Sequence, residues 1–256
     1  MSKLEIHQIP VLNDNYLYLF KEPDSGLVGI VDPAVSGPVL DKLKELGWKL
    51  THIINTHHHM DHTGANLELK EKTGCIIVGA KKDAERIPGI DIGVEDGDIF
   101  EFGSQKAQIF EVPGHTVGHI AYWFKESDAL FCGDTLFALG CGRLFEGTPA
   151  QMWDSLQKFR KLPDQTKVYC AHEYTEANGR FAVSIDPKND ALKRRFAEIV
   201  EMRKKKLPTV PSSLGEEKAT NPFMRADDPV LASELHLSGA DPVTIFAETR
   251  HRKDNF

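Results

Sequence analysis

The chain has 256 residues, of which 41% are hydrophobic and 27% charged, so it is long enough to bury a large core in one domain or in a domain with a smaller companion. Its formal net charge of −7 argues against nucleic acid as a partner, because an acidic protein repels phosphates. No segment approaches the roughly 20 apolar residues that span a bilayer, and the first residues lack the apolar core of a secretion signal. The four cysteines form no CxxC pair, so we expect buried thiols, a cytoplasmic location and no membrane partner.

The first two thirds of the chain predict short strands with a few helices between them. Apolar or alternating runs, punctuated by Gly, Asp, Ser or Pro, indicate the strands. These runs are 16–20, 28–31, 52–54, 75–78, 99–102, 107–112, 119–124, 129–132 and 167–170. Helical patterns at 39–46 and 65–72 stop at Gly47 and Gly74, since glycine commonly follows the last residue of a helix.

Longer helical patterns and proline-bearing linkers fill the last third of the chain. Asp186 followed by Pro187 predicts the N-cap and first residue of a helix. Asp241 followed by Pro242 predicts a final helix that ends near Lys253. The two parts together indicate an α+β fold in which strands come first and helices follow.

A cluster of histidines follows the predicted strand at 52–54. His57 and His59 are two residues apart, so both rings point to the same side of an extended backbone. Asp61 and His62 follow after one further residue. Imidazole nitrogens and carboxylate oxygens bind zinc, iron or manganese. Four such residues within six positions rarely arise from packing, so we predict a metal site on the loop after this strand.

Three later apolar runs also lead to a residue that can bind a metal, namely His115, Asp134 and His172. Any one of them alone would more often be a core, surface or turn residue. Together with the histidine cluster they give seven ligands, which are too many for one tetrahedral ion and suit two. We therefore predict a two-metal centre built by His57, His59, Asp61, His62, His115, Asp134 and His172.

The other histidines and the cysteines near the ligands are assigned to packing. His58 and Met60 alternate with the ligands, so we expect them to pack or to support the site. Cys132 and Cys170 lie within apolar runs, where a thiol behaves as a small hydrophobic group. The histidines assigned to packing are His7, His52, His119, His236 and His251.

The HxHxDH motif, followed by a spaced His, Asp and His, resembles the metallo-β-lactamase superfamily. Within it, the sequence is similar to glyoxalase II, the hydroxyacylglutathione hydrolase family, along essentially the whole chain. The segments that carry this similarity are PVLNDNYLYL, INTHHHMDHTGAN, EVPGHTVGH, FCGDTLFALGCGRLFEGTPAQM, AHEYTEAN, NPFMR and DPVTIFAETRHRKDNF. The resemblance implies an αββα sandwich at 1–172 as the catalytic domain, a small helical substrate-binding domain at 173–256, and an active site between them.

The resemblance also implies how the ligands divide between the two metals, which spacing alone does not. One metal would be held by His57, His59 and His115, the second by Asp61, His62 and His172, and Asp134 would bridge them.

Contacts with glutathione are implied at positions that match the family. Tyr174 matches a tyrosine that hydrogen-bonds the peptide part, and Arg250 and Lys253 match a basic pair that binds the glycine carboxylate. Their spacing of three residues places both cations on one helix face. Two positions depart from many relatives. Arg143 replaces a lysine and keeps the charge, whereas Phe145 replaces a tyrosine and removes a hydroxyl, so the identity of the thiol is less well fixed than the reaction.

We expect hydrolysis of S-(2-hydroxyacyl)glutathione thioesters, such as S-D-lactoylglutathione, to glutathione and D-lactate, the last step of methylglyoxal detoxification. A hydroxide bridging two divalent ions, with zinc preferred over iron or manganese, would attack the thioester carbonyl. A thiolate with an ordinary pKa of about 8.5 leaves without a dedicated general acid. Asp134 would position the nucleophile through the metals and Asp61 would order the second site, and these are the predicted catalytic carboxylates. We expect a monomer.

Four alternatives stay open. A mononuclear iron persulfide dioxygenase carries a similar motif and would consume oxygen. A phosphodiesterase or nuclease conflicts with the acidic net charge, and the helical C-terminal region disfavours β-lactam hydrolysis. A metal-stabilised interaction module without activity would close its coordination, commonly with cysteines.

Overall fold

The structure is a computed structural model that describes residues 2–256. Two compact units are distinguished by their internal contacts. Unit 1 comprises the residues up to Glu111 together with Gly118–Gly133, and unit 2 comprises Val112–Val117 and Asp134–Phe256.

Unit 1 contains the strands predicted in the first half of the chain together with two, at Glu5–Val11 and Ile92–Val94, that the sequence patterns did not indicate. They are β1 (Glu5–Val11), β2 (Asn15–Lys21), β3 (Val28–Val31), β4 (His52–Ile54), β5 (Ile76–Ala80), β6 (Ile92–Val94), β7 (Ile99–Phe102), β8 (Gln105–Glu111), β9 (Ile120–Phe124) and β10 (Ala129–Gly133). The strands β1 to β6 are neighbours in chain order; β1, β2 and β3 pair antiparallel, and β3, β4, β5 and β6 pair parallel. A second, antiparallel layer has the order β7-β8-β9-β10.

The parallel pairing in the first layer positions the histidine loop, residues 55–59 between β4 and the next helix. Val31 pairs with Ile54 across β3 and β4, so the residues that follow both strands emerge at the same edge of the sheet. The carboxyl ends of parallel strands are where α/β sheets generally build ligand sites. Asp32 and the loop that begins at Asn55 therefore start side by side.

Aromatic side chains fill the space between the two layers of unit 1. The ring of Phe20 lies 5.0 Å from that of Phe102, 5.7 Å from Phe124 and 5.5 Å from Phe131, measured between centroids. A β-carbon at Gly29 would lie 2.3 Å from the Phe20 ring, so only glycine fits there. Pairs of rings at these distances stabilise a core by about 0.5–1.5 kcal/mol beyond their area burial.

The helices of unit 1 are α1 (Gly37–Leu46), α2 (Met60–Thr63) and α3 (Asn66–Thr73). The predicted helix ends are confirmed, because Gly47 and Gly74 follow α1 and α3 in left-handed conformations with φ of 66° and 71°. Only glycine adopts this region without steric cost.

Unit 2 is mainly helical. Its elements are β11 (Leu136–Phe137), β12 (Gly140–Cys141), α4 (Pro149–Arg160), β13 (Lys167–Cys170), α5 (Thr175–Ile185), α6 (Asp190–Lys204), β14 (Ser212–Ser213), α7 (Leu214–Thr220), α8 (Pro229–Glu234) and α9 (Pro242–Asp254). β11 and β12 form a hairpin, and β13 pairs antiparallel with β14.

The predicted start of a helix at Asp186 is wrong. Asp186 follows the last residue of α5, a helix that the sequence patterns did not indicate, and its carboxylate pairs with Arg225. Asn189 is the N-cap of the next helix instead, since its side chain accepts a hydrogen bond from the Leu192 N–H at 3.0 Å. The predicted final helix is confirmed, with Asp241 as its N-cap.

The cysteines are buried thiols, as predicted. Burial disfavours the thiolate and raises the pKa of Cys141 to about 11 and that of Cys170 to about 12. Across residues 2–256, we find no helix with the length and apolar character required to traverse a membrane.

Candidate metal centre

The predicted ligands of unit 1 lie on a loop that leaves β4 and enters α2. His57 and His62 are fully buried, and His59 is partly buried. The Nε2 atom of His57 lies 3.1 Å from Nδ1 of His59, and the ring centroids of His57 and His62 are 4.0 Å apart. The structure therefore brings the three histidines together, as the spacing predicts.

A buried carboxylate, Asp32, holds this cluster from behind. It accepts hydrogen bonds from the Thr56 N–H at 2.7 Å and the Thr56 hydroxyl at 2.6 Å. Its Oδ2 atom also lies 3.1 Å from Nδ1 of His62, where an ionised carboxylate accepts the ring N–H. The Thr56 hydroxyl lies 3.0 Å from Nδ1 of His57 and, having donated to Asp32, accepts from that ring. Asp32 thus fixes the tautomer of both histidines and leaves their Nε2 atoms for a metal.

Asp61 is held by the β1–β2 region of the same unit. The Asn15 side-chain amide donates to Oδ2 of Asp61 at 3.1 Å and to its backbone carbonyl at 3.3 Å. Oδ2 of Asp61 also lies 3.5 Å from Nε2 of His62. Because Nδ1 of His62 faces Asp32, its Nε2 lies on the side of Asp61, and this pair presents one oxygen and one nitrogen side by side.

In unit 2, two histidines flank a single carboxylate. The Nε2 atom of His115 lies 3.5 Å from Oδ2 of Asp134, and Nε2 of His172 lies 3.4 Å from Oδ1 of Asp134. Each oxygen of Asp134 therefore has its own histidine, the disposition that a bridging carboxylate needs. All three residues are buried, with 4–7% exposure.

The distances and donor types fit divalent cations. Ligand atoms 2.0–2.1 Å from a tetrahedral zinc ion lie about 3.3 Å from one another. The carboxylate-to-imidazole distances at Asp61 and Asp134 are 3.4–3.5 Å, which matches this edge length. His115 Nδ1 donates to the Arg143 carbonyl at 2.9 Å, which again leaves Nε2 for a metal.

Two further histidines support the cluster of unit 1. The His119 ring stacks on that of His57, with centroids 4.5 Å apart and an angle of 19° between planes. His119 is buried, and its Nδ1 lies 3.1 Å from the Ile120 carbonyl. Packing was predicted for His119, and its partner is a predicted ligand. The His58 ring meets that of His59 edge-on with centroids 4.9 Å apart, and its Nδ1 contacts the buried carboxylate of Asp83 at 3.1 Å.

The aromatic residues predicted near the substrate lie against the ligands of unit 2. The Tyr174 ring stacks on His172 with centroids 4.7 Å apart and planes within 3°. Phe145 is 63% exposed, and its ring lies 5.2 Å from that of His115. Arg143 is exposed. Tyr174 and Phe145 therefore lie where a ligand near the predicted metals would touch them.

The two cations of α9 are held differently from each other. Arg250 is buried; it donates to the Cys141 carbonyl at 3.0 Å, pairs with Asp254 at 2.8 Å and lies over the Phe223 ring. Lys253 lies over aromatic rings. Burial, together with repulsion from Arg250 and other cations, lowers the pKa of Lys253.

Sequence patterns missed Asp32, Asn15 and Asp83. Asp32 directly follows an apolar strand, the same signal that identified Asp134, and its φ of 49° is unusual for a non-glycine residue. That strand-end signal could have identified it. The contacts of Asn15 and Asp83 depend on loops distant in sequence, and the sequence carries no local sign of them.

Each unit thus assembles its own part of the predicted ligand set. His57, His59, Asp61 and His62 lie together in unit 1, and His115, Asp134 and His172 lie together in unit 2. The assembly of both parts into one two-metal centre stays a prediction.

Comparison with known proteins identifies relatives along the whole chain. Two family models match, "Metallo-beta-lactamase superfamily" at residues 14–172 and "Hydroxyacylglutathione hydrolase C-terminus" at residues 173–256. The chain is 58% identical to "Hydroxyacylglutathione hydrolase" of Methylococcus capsulatus, covering 99% of both chains, and 55% identical to the protein of that name from Rhodospirillum rubrum, covering 100% of both.

Solved structures give the same fold. The crystal structure of ETHE1 from Myxococcus xanthus has a TM-score of 0.69 and 27% identity, and the similarity covers 98% of this chain and 90% of that one. The BLEG-1 B3 metallo-β-lactamase has a TM-score of 0.65 at 21% identity, covering 86% of this chain and 99% of that one. The predicted fold class, a metallo-β-lactamase-type arrangement followed by a helical C-terminal region, is confirmed.

Proposed function

Because this chain belongs to the hydroxyacylglutathione hydrolase family of the metallo-β-lactamase superfamily, we propose that it hydrolyses S-(2-hydroxyacyl)glutathione thioesters. S-D-lactoylglutathione is the representative substrate, and the products are glutathione and D-lactate, as in the last step of methylglyoxal detoxification. Similarity along the full length to relatives of that name supports the reaction. The observation that carries the chemistry is the pairing of Asp134 with a histidine at each of its oxygens.

Two divalent cations are part of this proposal, with zinc as the preferred metal. His57, His59 and His115 would hold one, Asp61, His62 and His172 the other, and Asp134 both; the donor types in each unit support this assignment. When bound, such ions lower the pKa of water to about 7 and polarise a carbonyl group.

The protein's own contribution is to hold the ligands rigidly. Asp32 and the Arg143 carbonyl each accept a hydrogen bond from Nδ1 of a histidine, so Nε2 carries the lone pair and the ring cannot rotate away. Asn15 restrains Asp61 in the same manner. We propose that Asp134 and Asp61 act through the metals rather than as free bases. The leaving thiolate, with an ordinary pKa of about 8.5, departs without a general acid.

Substrate binding is proposed for unit 2. Tyr174 would contact the peptide part of glutathione, and Arg143, Arg250 and Lys253 would attract its carboxylates, since charged donors bind carboxylates strongly. In this proposal residues 1–172 supply the catalytic domain and 173–256 the substrate-binding domain. The protein would act as a cytoplasmic monomer.

The direct test follows the loss of thioester absorbance with S-D-lactoylglutathione, together with release of thiol. We expect stoichiometric thiol release that a chelator abolishes and added zinc restores. S-D-lactoyl-coenzyme A serves as the control for the thiol, because it shares the thioester but lacks the glutathione carboxylates. Oxygen uptake without thioester loss would contradict the proposal and indicate a dioxygenase.

A further inference from the structure

The turn of the β11–β12 hairpin is held by side chains from the helical region in addition to the pairing of its two strands. The Leu139 N–H donates to Glu217 Oε2 at 2.9 Å. The Asn221 amide donates to the carbonyls of Phe137 at 3.1 Å and Gly140 at 2.9 Å. Leu139 has a φ of 58°, a left-handed conformation that is unfavourable for a residue with a β-carbon. These hydrogen bonds therefore determine the conformation of a turn that its own residues do not favour.

A buried charge lies at the centre of this arrangement. Glu217 is fully buried, its Oε1 pairs with Arg195 at 2.5 Å, and its Oε2 also accepts from the Asn221 amide at 3.0 Å. A buried carboxylate with both oxygens engaged is strongly oriented, since each bond it lost would leave a charge uncompensated. Asn221 begins the NPFMR segment, to which the proposed reaction assigns no role.

The hairpin carries Phe137 to the ligands of unit 2. The Phe137 ring meets His172 edge-on with centroids 5.9 Å apart, and Tyr174 edge-on at 5.3 Å. Tyr174 in turn stacks on His172. A movement of the turn would therefore shift the ring against which both residues pack.

We propose that Glu217 is a positioning residue for the proposed hydrolysis. Through the Leu139 N–H and Asn221 it fixes the hairpin turn, and through Phe137 it fixes the position of Tyr174 on His172. Its role is to set the affinity for the glutathione moiety, and it touches neither substrate nor metal. The inference rests on the proposed function, because Tyr174 is there assigned to the peptide part of glutathione.

Glu217→Gln is the main test. It keeps the shape of the side chain but removes the negative charge that pairs with Arg195. Asp186→Asn is the matched control. Asp186 is also a fully buried carboxylate paired with an arginine of unit 2, Arg225. It accepts hydrogen bonds from Asn189 and Arg225, which lie outside the hairpin turn. Loss of a folded fraction lowers the apparent kcat and leaves KM unchanged, so KM distinguishes positioning from stability. We expect Glu217→Gln to raise KM for S-D-lactoylglutathione about tenfold, as loss of a charged hydrogen bond commonly does, with metal content and kcat within about threefold of wild type.

Phe137→Leu should reproduce the rise in KM, and Asp186→Asn should not. A KM within about twofold of wild type in Glu217→Gln, or an equal rise in Asp186→Asn, overturns the proposal. A second readout is independent of turnover: the NMR signals of the Tyr174 ring, which lies over the His172 ring, should move in Glu217→Gln and remain unmoved in Asp186→Asn. If the wild-type protein does not cleave the thioester, the proposed function fails, and unchanged Tyr174 signals in Glu217→Gln would separately overturn the positioning role.

Discussion

The histidine loop of unit 1 and helix α9 of unit 2 both carry residues that the proposed reaction needs, but they hold them in opposite ways. Around the loop, a single buried carboxylate, Asp32, accepts hydrogen bonds from Thr56 and His62 and fixes ring orientation. On α9, Lys253 lies over the rings of Phe181 and Phe256, and its pKa is lowered. Its neighbour Arg250 is instead held firmly by Asp254 and the Cys141 carbonyl.

The difference follows from what each group must do. A metal ligand needs a neutral ring with its lone pair presented, and a hydrogen-bonded acceptor behind the ring provides both. A cation that awaits a carboxylate gains most when its own partners are weak, because it then recovers the most free energy on binding. The loop is thus arranged for permanent geometry, and we propose that Lys253 on α9 carries a charge that becomes fully stabilised when an anion arrives.

The largest effect is expected at Asp134, the carboxylate proposed to serve both metals. Asp134→Ala removes the oxygens that face His115 and His172, so metal content should fall and turnover should drop about a thousandfold or more. Asp227→Ala is the control, since that carboxylate is 42% exposed and pairs with Arg160. Wild-type rates in Asp134→Ala, measured by loss of thioester absorbance, would exclude Asp134 from the centre.

A smaller effect is expected when the support of the loop is removed but its ligands remain. Asp32→Asn replaces an acceptor of the His62 N–H by an amide, and such changes behind a ligand commonly lower metal affinity by about 10–100-fold. Asp83→Asn is matched, because Asp83 is also buried and contacts a histidine, His58, that is not a predicted ligand. Competition with a chromophoric chelator measures both affinities. Equal losses in the two variants would show that burial rather than ligand orientation matters.

The α9 side of the comparison is tested by pH. The pKa of Lys253 is lowered from 10.5 chiefly by burial and then by Arg250 and Arg143, against a smaller opposing effect of Asp254. The ammonium charge is therefore lost, as pH rises, earlier than that of an exposed lysine. KM of the wild-type protein should rise in this alkaline range. Lys253→Met should have a KM about tenfold higher at neutral pH, and its KM should not rise further in the range where Lys253 loses its proton. Parallel KM profiles for both proteins would remove Lys253 from substrate binding.

The smallest effect is expected for Glu22, a buried carboxylate outside the histidine loop, and it concerns the stability of the fold. Burial alone would raise the pKa of Glu22, but hydrogen bonds from Ser25, the Asp24 and Ser25 backbone and Ser104 outweigh it and lower the pKa from 4.5 to about 2. Its ionised form therefore stabilises the fold above pH 4.5, and this contribution is lost as pH falls towards 2. Glu22→Gln should lower the urea midpoint at neutral pH but not near pH 2. A difference between the proteins that is independent of pH would contradict this assignment.

The same contrast explains what could be predicted from the sequence. The ligands of the loop are adjacent in sequence, and their chemistry is local, so His57, His59, Asp61 and His62 could be identified directly. Asp32 lies 24 residues before Thr56, and only the pairing of β3 with β4 brings them together. That pairing is a tertiary fact, and the spacing of the motif does not contain it.

Helices were predictable only where the local signals were undisturbed. The last helix has a clear N-cap in Asp241, whereas α5 contains Asn178 and Gly179, which disfavour a helix interior. The structure shows why these two residues nevertheless lie inside a helix. The Asn178 amide donates to the Ala138 carbonyl at 3.2 Å, and a β-carbon at Gly179 would lie 2.4 Å from the Phe196 ring. Packing here outweighs helix propensity.

We propose that both sets of ligands together hold a pair of cations that the reaction requires. The most direct measurement titrates zinc into chelator-treated protein and records bound metal by mass spectrometry of the native protein beside the rate of S-D-lactoylglutathione cleavage. We expect full activity to appear as two ions bind per chain, and we expect variants of the histidine and aspartate ligands to bind fewer ions. Full thioester cleavage by a protein that carries no metal, or only one ion, would contradict it.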